Sequence, residues 1–143
     1  MMRNYKTWYW VAAVFQFLTA AIHSLSFLND PKAENETEKT LIGLMQNYRL
    51  SGLEVTMSQI VTALSACMTF VFLFGALVNA WMLRRAQDEA LLGGILTINL
   101  LVFGALFVIM LVYTFLPPII LTGLVFFFLL LAFALRRFVS KQE

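Results

Sequence analysis

The side chain in this 143-residue chain best suited to moving a proton near neutral pH is its one histidine, His23, because imidazole titrates closest to that range. Gln16 lies two helical turns before it and on the same face of any helix that contains both. Gln59, with Glu54 at its boundary, starts the next apolar stretch, so a His23–Gln59 or His23–Glu54 contact is sterically allowed. His23, Gln16, Gln59 and Glu54 therefore form the candidate ligand-binding set, suited to the polar head of a lipid, quinone or sterol-like molecule. The competing expectation is a neutral histidine hydrogen-bonded to a neighbouring helix.

Other chemistries lack the residues they need. One histidine cannot supply both axial ligands of a haem, and Cys67, the sole cysteine, can form neither an internal disulfide nor a zinc site. No nucleophile with a paired base and no phosphate-cradling glycine loop occurs, so no catalytic residue, metal or cofactor is assigned. Cys67 reads as a small apolar packing residue among Ala66, Met68 and Phe70.

The elements that must position these residues are four apolar stretches, at about 5–28, 53–83, 90–113 and 117–138. Each reaches the roughly 20 residues a helix needs to cross a hydrocarbon core. With 61% hydrophobic and 13% charged residues, the chain reads as all-α, a single membrane domain over 1–143 arranged as a four-transmembrane-helix bundle. An apolar run that continues through Ile22, Leu25 and Leu28 favours a retained first span over a cleaved secretory leader.

Seven of the ten basic residues, Arg3, Lys6, Arg84, Arg85, Arg136, Arg137 and Lys141, flank one side of the four spans. Basic residues in short flanks stay in the cytoplasm, which puts both termini inside and 29–52 outside. The outer segment is acidic through Asp30, Glu34, Glu36, Glu38 and Glu54. Tyr5, Trp8, Tyr9, Trp10 and Trp81 fall at the inner boundary, where amphipathic rings collect. A nucleic-acid partner is excluded, since no basic surface interleaves with exposed stacking aromatics. Proton-coupled export is disfavoured because the spans carry no central carboxylate.

Asn29-Asp30-Pro31 reads as a turn after the first span. Asn35 followed by Glu38 has capping-box spacing. Leu41, Ile42, Leu44, Met45 and Tyr48 then make one apolar stripe, which predicts a short amphipathic outer helix ending at Ser51-Gly52 and serving as a lid or a cap.

Small and polar residues mark the faces on which spans pack together. The second span shows Ser58, Thr62, Ser65, Thr69, Phe72, Ala76 and Asn79 along one face, and the first shows Ala12, Gln16, Thr19, His23 and Ser26. The third carries a weaker version, Gly93, Thr97, Leu100 and Gly104, with Asn99 nearby; the fourth lacks one and is expected to expose most of its surface to lipid. Side-chain hydrogen bonds of about 0.6–2 kcal/mol each are enough to specify helix packing without any chemistry. The expected function is a non-catalytic accessory or interaction subunit that self-associates or binds a larger membrane protein. The alternative is a lipophile-binding protein or enzyme that uses the His23 region.

Ala21-Ile22-His23-Ser24-Leu25-Ser26-Phe27, Asn35-Glu36-Thr37-Glu38-Lys39 and Leu41-Ile42-Gly43-Leu44-Met45 together resemble a family of small bacterial four-helix membrane proteins with no assigned activity. Phe115-Leu116-Pro117-Pro118 is a weaker echo. The resemblance implies the four-helix architecture and a bacterial inner membrane, and it transfers no site. A more distant likeness is to sterol-isomerase-like four-helix proteins, which also carry a first-span histidine. This chain has only Glu54 where such a site needs intramembrane carboxylates.

Overall fold

The computed structural model describes residues 3–28, 32–85 and 88–139. They form α1 (Arg3–Leu28), α2 (Glu36–Asn47), α3 (Met57–Arg85), α4 (Glu89–Tyr113) and α5 (Leu116–Val139). No strand occurs among the described residues, where the β-pairing is an isolated bridge between Arg49 and Thr56. The fold class is all-α, and α1, α3, α4 and α5 are each long and apolar enough to cross a membrane. The turn expected at Asn29-Asp30-Pro31 and the side chain of Ser26 lie outside what is described.

Three helices, α2, α3 and α4, begin where the sequence supplies partners for their orphan amides. At α2 the Asn35 side chain accepts from the Glu38 amide at 2.9 Å while Glu38 reaches back to the Glu34 amide at 2.7 Å. Thr56 and Gln59 do the same for α3, the Gln59 carbonyl oxygen accepting from the Thr56 amide at 2.9 Å and Thr56 Oγ1 accepting from the Gln59 amide at 3.3 Å. Asp88 caps α4 through the amides of Ala90 and Leu91. Pro117 and Pro118 sit in the first turn of α5, where a missing amide proton costs nothing.

The outer helix is shorter than its sequence suggests. It stops at Asn47, not at Ser51-Gly52, because Tyr48 turns extended and its amide closes on the Leu44 carbonyl at 2.7 Å. A tight connector follows: Leu53 donates to Leu50 at 2.9 Å around Gly52 at φ +80, and Arg49 pairs with Thr56. The second long helix therefore starts at Met57 and not at Leu53. No residue of α2 is buried, and Leu41, Leu44 and Tyr48 are 55%, 59% and 57% exposed.

The chain falls into two compact units. The second, residues 20–71, holds the rest of α1, all of α2 and the first half of α3. The first gathers α1 up to Thr19 with the described residues from Phe72 onward, so four helical segments meet in it. Their buried faces follow helical periodicity: Tyr5, Tyr9, Ala12 and Gln16 on α1; Phe72, Ala76 and Asn79 on α3; Leu92, Leu96, Asn99 and Phe103 on α4. On α5, Thr122, Val125, Leu129 and Ala132 are buried.

Aromatic rings join the segments of this unit. Phe128 of α5 stacks on Trp8 and Phe15 of α1 at 5.6 and 5.1 Å, and Phe107 of α4 stacks on Phe126 of α5 at 5.6 Å. The outer faces of the long helices stay apolar, with Phe74 70% and Leu101 69% exposed. An all-round apolar helix is suited to a hydrocarbon solvent. Cys67, expected to pack inside, is exposed on the α3 surface.

Candidate functional site

The first unit has a polar centre. Gln16 of α1, Asn79 of α3 and Asn99 of α4 each sit on the buried face of their helix, at 0%, 0% and 8% exposure. An amide in an apolar interior must find partners, because each unmade hydrogen bond there costs about 1–3 kcal/mol. These three find one another.

Asn79 is the hub. Its Nδ2 donates to Gln16 Oε1 at 2.8 Å and to Asn99 Oδ1 at 2.9 Å. Its Oδ1 accepts from Tyr9 Oη at 2.7 Å and from Asn99 Nδ2 at 3.0 Å. Both amide protons and both oxygen lone pairs are thereby used. Asn99 is equally complete: its second proton goes to the Ile95 carbonyl at 2.9 Å, and Gln16 Nε2 donates to its Oδ1 at 3.4 Å. Asn79 and Asn99 thus form a reciprocal amide pair that ties α3 to α4, with Tyr9 and Gln16 binding α1 to the same point.

The packing around the cluster leaves little slack. Gly75 lies one turn before Asn79, and a Cβ there would come within 2.8 Å of the Phe103 ring and 3.2 Å of Gln16 Nε2. Phe103 is itself held against Phe72 at 5.2 Å between centroids. The missing side chain at Gly75 is what lets the ring close over this edge of the amides.

Toward the start of α1 and α4 lies a charged group. Lys6 Nζ pairs with Glu89 Oε1 at 2.6 Å, and the buried Tyr5 hydroxyl donates to Glu89 Oε2. Arg136 of α5 crosses α4 to donate from Nη2 to the Glu89 carbonyl at 2.7 Å. It can do so because residue 93 is glycine: a Cβ there would overlap the Arg136 guanidinium.

The sequence-derived candidates divide between the units. Gln16, proposed as a ligand contact, is in the amide cluster, as are Asn79 and Asn99 of the packing seam. Thr97, half-buried, bonds to its own helix at Gly93. In the second unit His23 is half-buried, whereas Glu54 and Gln59 are exposed and the Gln59 side chain is engaged in the α3 cap. Along the α3 seam Ser58 and Ser65 are half-buried and Thr62 is exposed, its hydroxyl bonded to the Ser58 carbonyl at 3.0 Å. Thr69 is buried, and its hydroxyl has no hydrogen-bond partner among the described residues, a feature for which the surroundings offer no physical account.

Two contributors were not legible as such in the sequence. Tyr5 and Tyr9, expected in an interfacial aromatic belt, are 2% and 0% exposed and turn their hydroxyls inward. The signal was spacing, since Tyr5, Tyr9, Ala12 and Gln16 recur every three or four residues on the face that already held Gln16. Among the described residues no group of three or more His, Cys, Asp or Glu side chains is placed to hold a metal ion. No family model, curated protein or solved structure matches this chain.

Proposed function

We propose that this protein is a non-catalytic accessory or interaction subunit of a bacterial inner membrane. In this reading α1, α3, α4 and α5 cross as a four-helix transmembrane bundle, with both termini in the cytoplasm and the segment 29–52 outside. α2 would then lie on or over the outer surface, where its exposed Leu41, Leu44 and Tyr48 meet lipid or a partner.

The observation that carries this reading is the saturation of Asn79 and Asn99. A binding or catalytic site keeps donors and acceptors open toward a ligand. Here the most polar part of the apolar interior spends the full capacity of both asparagines on other side chains and one backbone carbonyl. Such a cluster fixes which helices pack together, and at what depth and rotation. The small polar face that stays open, at Ser58, Thr62 and Ser65 of α3, is the surface on which a further helix would pack.

Affinity purification of the full chain in mild detergent, read for both proteins and lipids, tests this. Expected is a stoichiometric partner, either a second copy or another membrane protein, whose recovery falls at least fivefold in Thr62→Leu/Ser65→Leu. A monomer that carries one enriched lipophile, lost in His23→Ala, would instead assign the protein to lipophile binding.

A further inference from the structure

The helix ends that meet near Glu89 carry an excess of positive charge that the protein does not use internally. Lys6, Arg84, Arg85, Arg136 and Arg137 stand there, with Asp88 and Glu89 as the carboxylates among the described residues. Among the described residues neither carboxylate pairs with Arg84, Arg85 or Arg137. Asp88 accepts the first amides of α4, and Glu89 is held by Lys6 and Tyr5.

Arg84, Arg85 and Arg137 therefore keep their donors for an outside acceptor, and no ion pair engages them among the described residues. Two of the three are also held in place. Arg84 lies over the Trp10 ring at 5.5 Å, and Arg137 lies over Phe133 at 4.7 Å. A guanidinium attracted to a ring through its cation–π contact still has its N–H donors to give, and their fork matches a pair of phosphate oxygens. All three are exposed, as are Trp81, one turn before Arg84 and Arg85, and Phe138, next to Arg137, at 63% and 71%. Exposed indole next to arginine fits the zone where acyl chains give way to headgroups.

We propose that Arg84, Arg85 and Arg137 form a collar that binds the phosphates of anionic phospholipids in the adjoining leaflet. This rests on the membrane-spanning reading above. Its specific content is that retention of anionic lipid belongs to these three residues, because the neighbouring carboxylates engage other groups.

The test uses the full chain reconstituted in phosphatidylcholine bilayers with a minority of phosphatidylglycerol, and measures which spin-labelled lipid is immobilised at the protein. Wild type should favour phosphatidylglycerol. Arg84→Gln/Arg137→Gln should lose that preference by on the order of fivefold per charge removed. Arg84→Lys/Arg137→Lys should keep most of it, and Lys39→Gln/Arg49→Gln in the second unit should keep all of it. Equal immobilisation of both lipids by wild type overturns the proposal, whatever the variants do. So would displacement of the lipid by inorganic phosphate, or an equal loss in the Lys39/Arg49 variant. Failure of wild type to insert into these bilayers would instead remove the membrane-spanning reading itself.

Discussion

Asn79→Leu removes the hub of the amide cluster while keeping a side chain of similar size. Tyr9 Oη loses the acceptor at 2.7 Å and Gln16 Oε1 loses its donor at 2.8 Å, so both are left without their Asn79 contacts in the interior. Asn99 fares better, since each of its polar atoms keeps one partner, the Ile95 carbonyl at 2.9 Å and Gln16 at 3.4 Å. Soluble-protein values of about 1–3 kcal/mol per orphaned group set an upper range near 6 kcal/mol for the two. Interhelical bonds measured in a bilayer average about 0.6 kcal/mol, because the helices find substitute partners when separated. Four lost bonds on that scale give about 2–3 kcal/mol, the loss expected in detergent or lipid.

The sharper expectation is non-additivity. Once Asn79 is leucine, Asn99→Leu removes only what Asn99 still holds, so the double variant should cost less than the sum of the singles by about 1 kcal/mol or more. Converting the whole group, Tyr9→Phe, Gln16→Met, Asn79→Leu and Asn99→Leu, leaves no orphan and should regain much of the loss. Reversible unfolding in mixed micelles, followed by circular dichroism, measures each value. Additive singles, or an Asn79→Leu change below about 0.5 kcal/mol, would refute the closed cluster.

Gly75→Ala should destabilise the protein by about 1–3 kcal/mol, because the new methyl meets the confined Phe103 ring at 2.8 Å; Phe103→Leu should relieve part of it, and no rescue would place the strain elsewhere. The proposed topology predicts that Thr37→Cys, in a chain whose own Cys67 is replaced by Ala, reacts with an impermeant thiol reagent from outside intact cells, while Gln142→Cys reacts only after the membrane is opened. Labelling of both from the same side would end the four-span arrangement.

The long helices were legible because length and apolarity act without any tertiary context: a run of about 20 apolar residues forms helix wherever its backbone must satisfy itself. Caps were legible for a similar reason, and the Asn35–Glu38 box is formed by the two residues whose spacing predicts it. The end of α2 was not. Ser51-Gly52 looks like a helix stop, yet Gly52 serves the turn of a connector closed by Arg49 and Thr56, and nothing local in the sequence ranks that pairing above one more helical turn. Cys67 fails differently, since a small apolar residue costs little on either face of a helix in lipid, and composition alone cannot orient it.

For the polar centre, sequence supplied members and missed the connectivity. Periodicity put Gln16 on one face of α1 and Asn79 on one face of α3, and both are buried there. The α4 stripe drawn through Gly93, Thr97, Leu100 and Gly104 left Asn99 to one side, whereas the buried face runs through Leu92, Gly93, Leu96, Asn99 and Phe103. The small residues of that stripe mark a second contact, since Gly93 makes room for the Arg136 guanidinium and a Cβ at Gly104 would meet the Phe126 ring at 3.0 Å, while Thr97 returns its hydroxyl to its own helix at Gly93. Asparagine has no such refuge, since its amide carries two protons and one helical carbonyl accepts only part of that demand. Asn99 gives one proton to Ile95 and must send the other across to Asn79. In an apolar span, then, the amide side chains disclose which helices share a buried point, and three amides on three helices can satisfy one another only by meeting there.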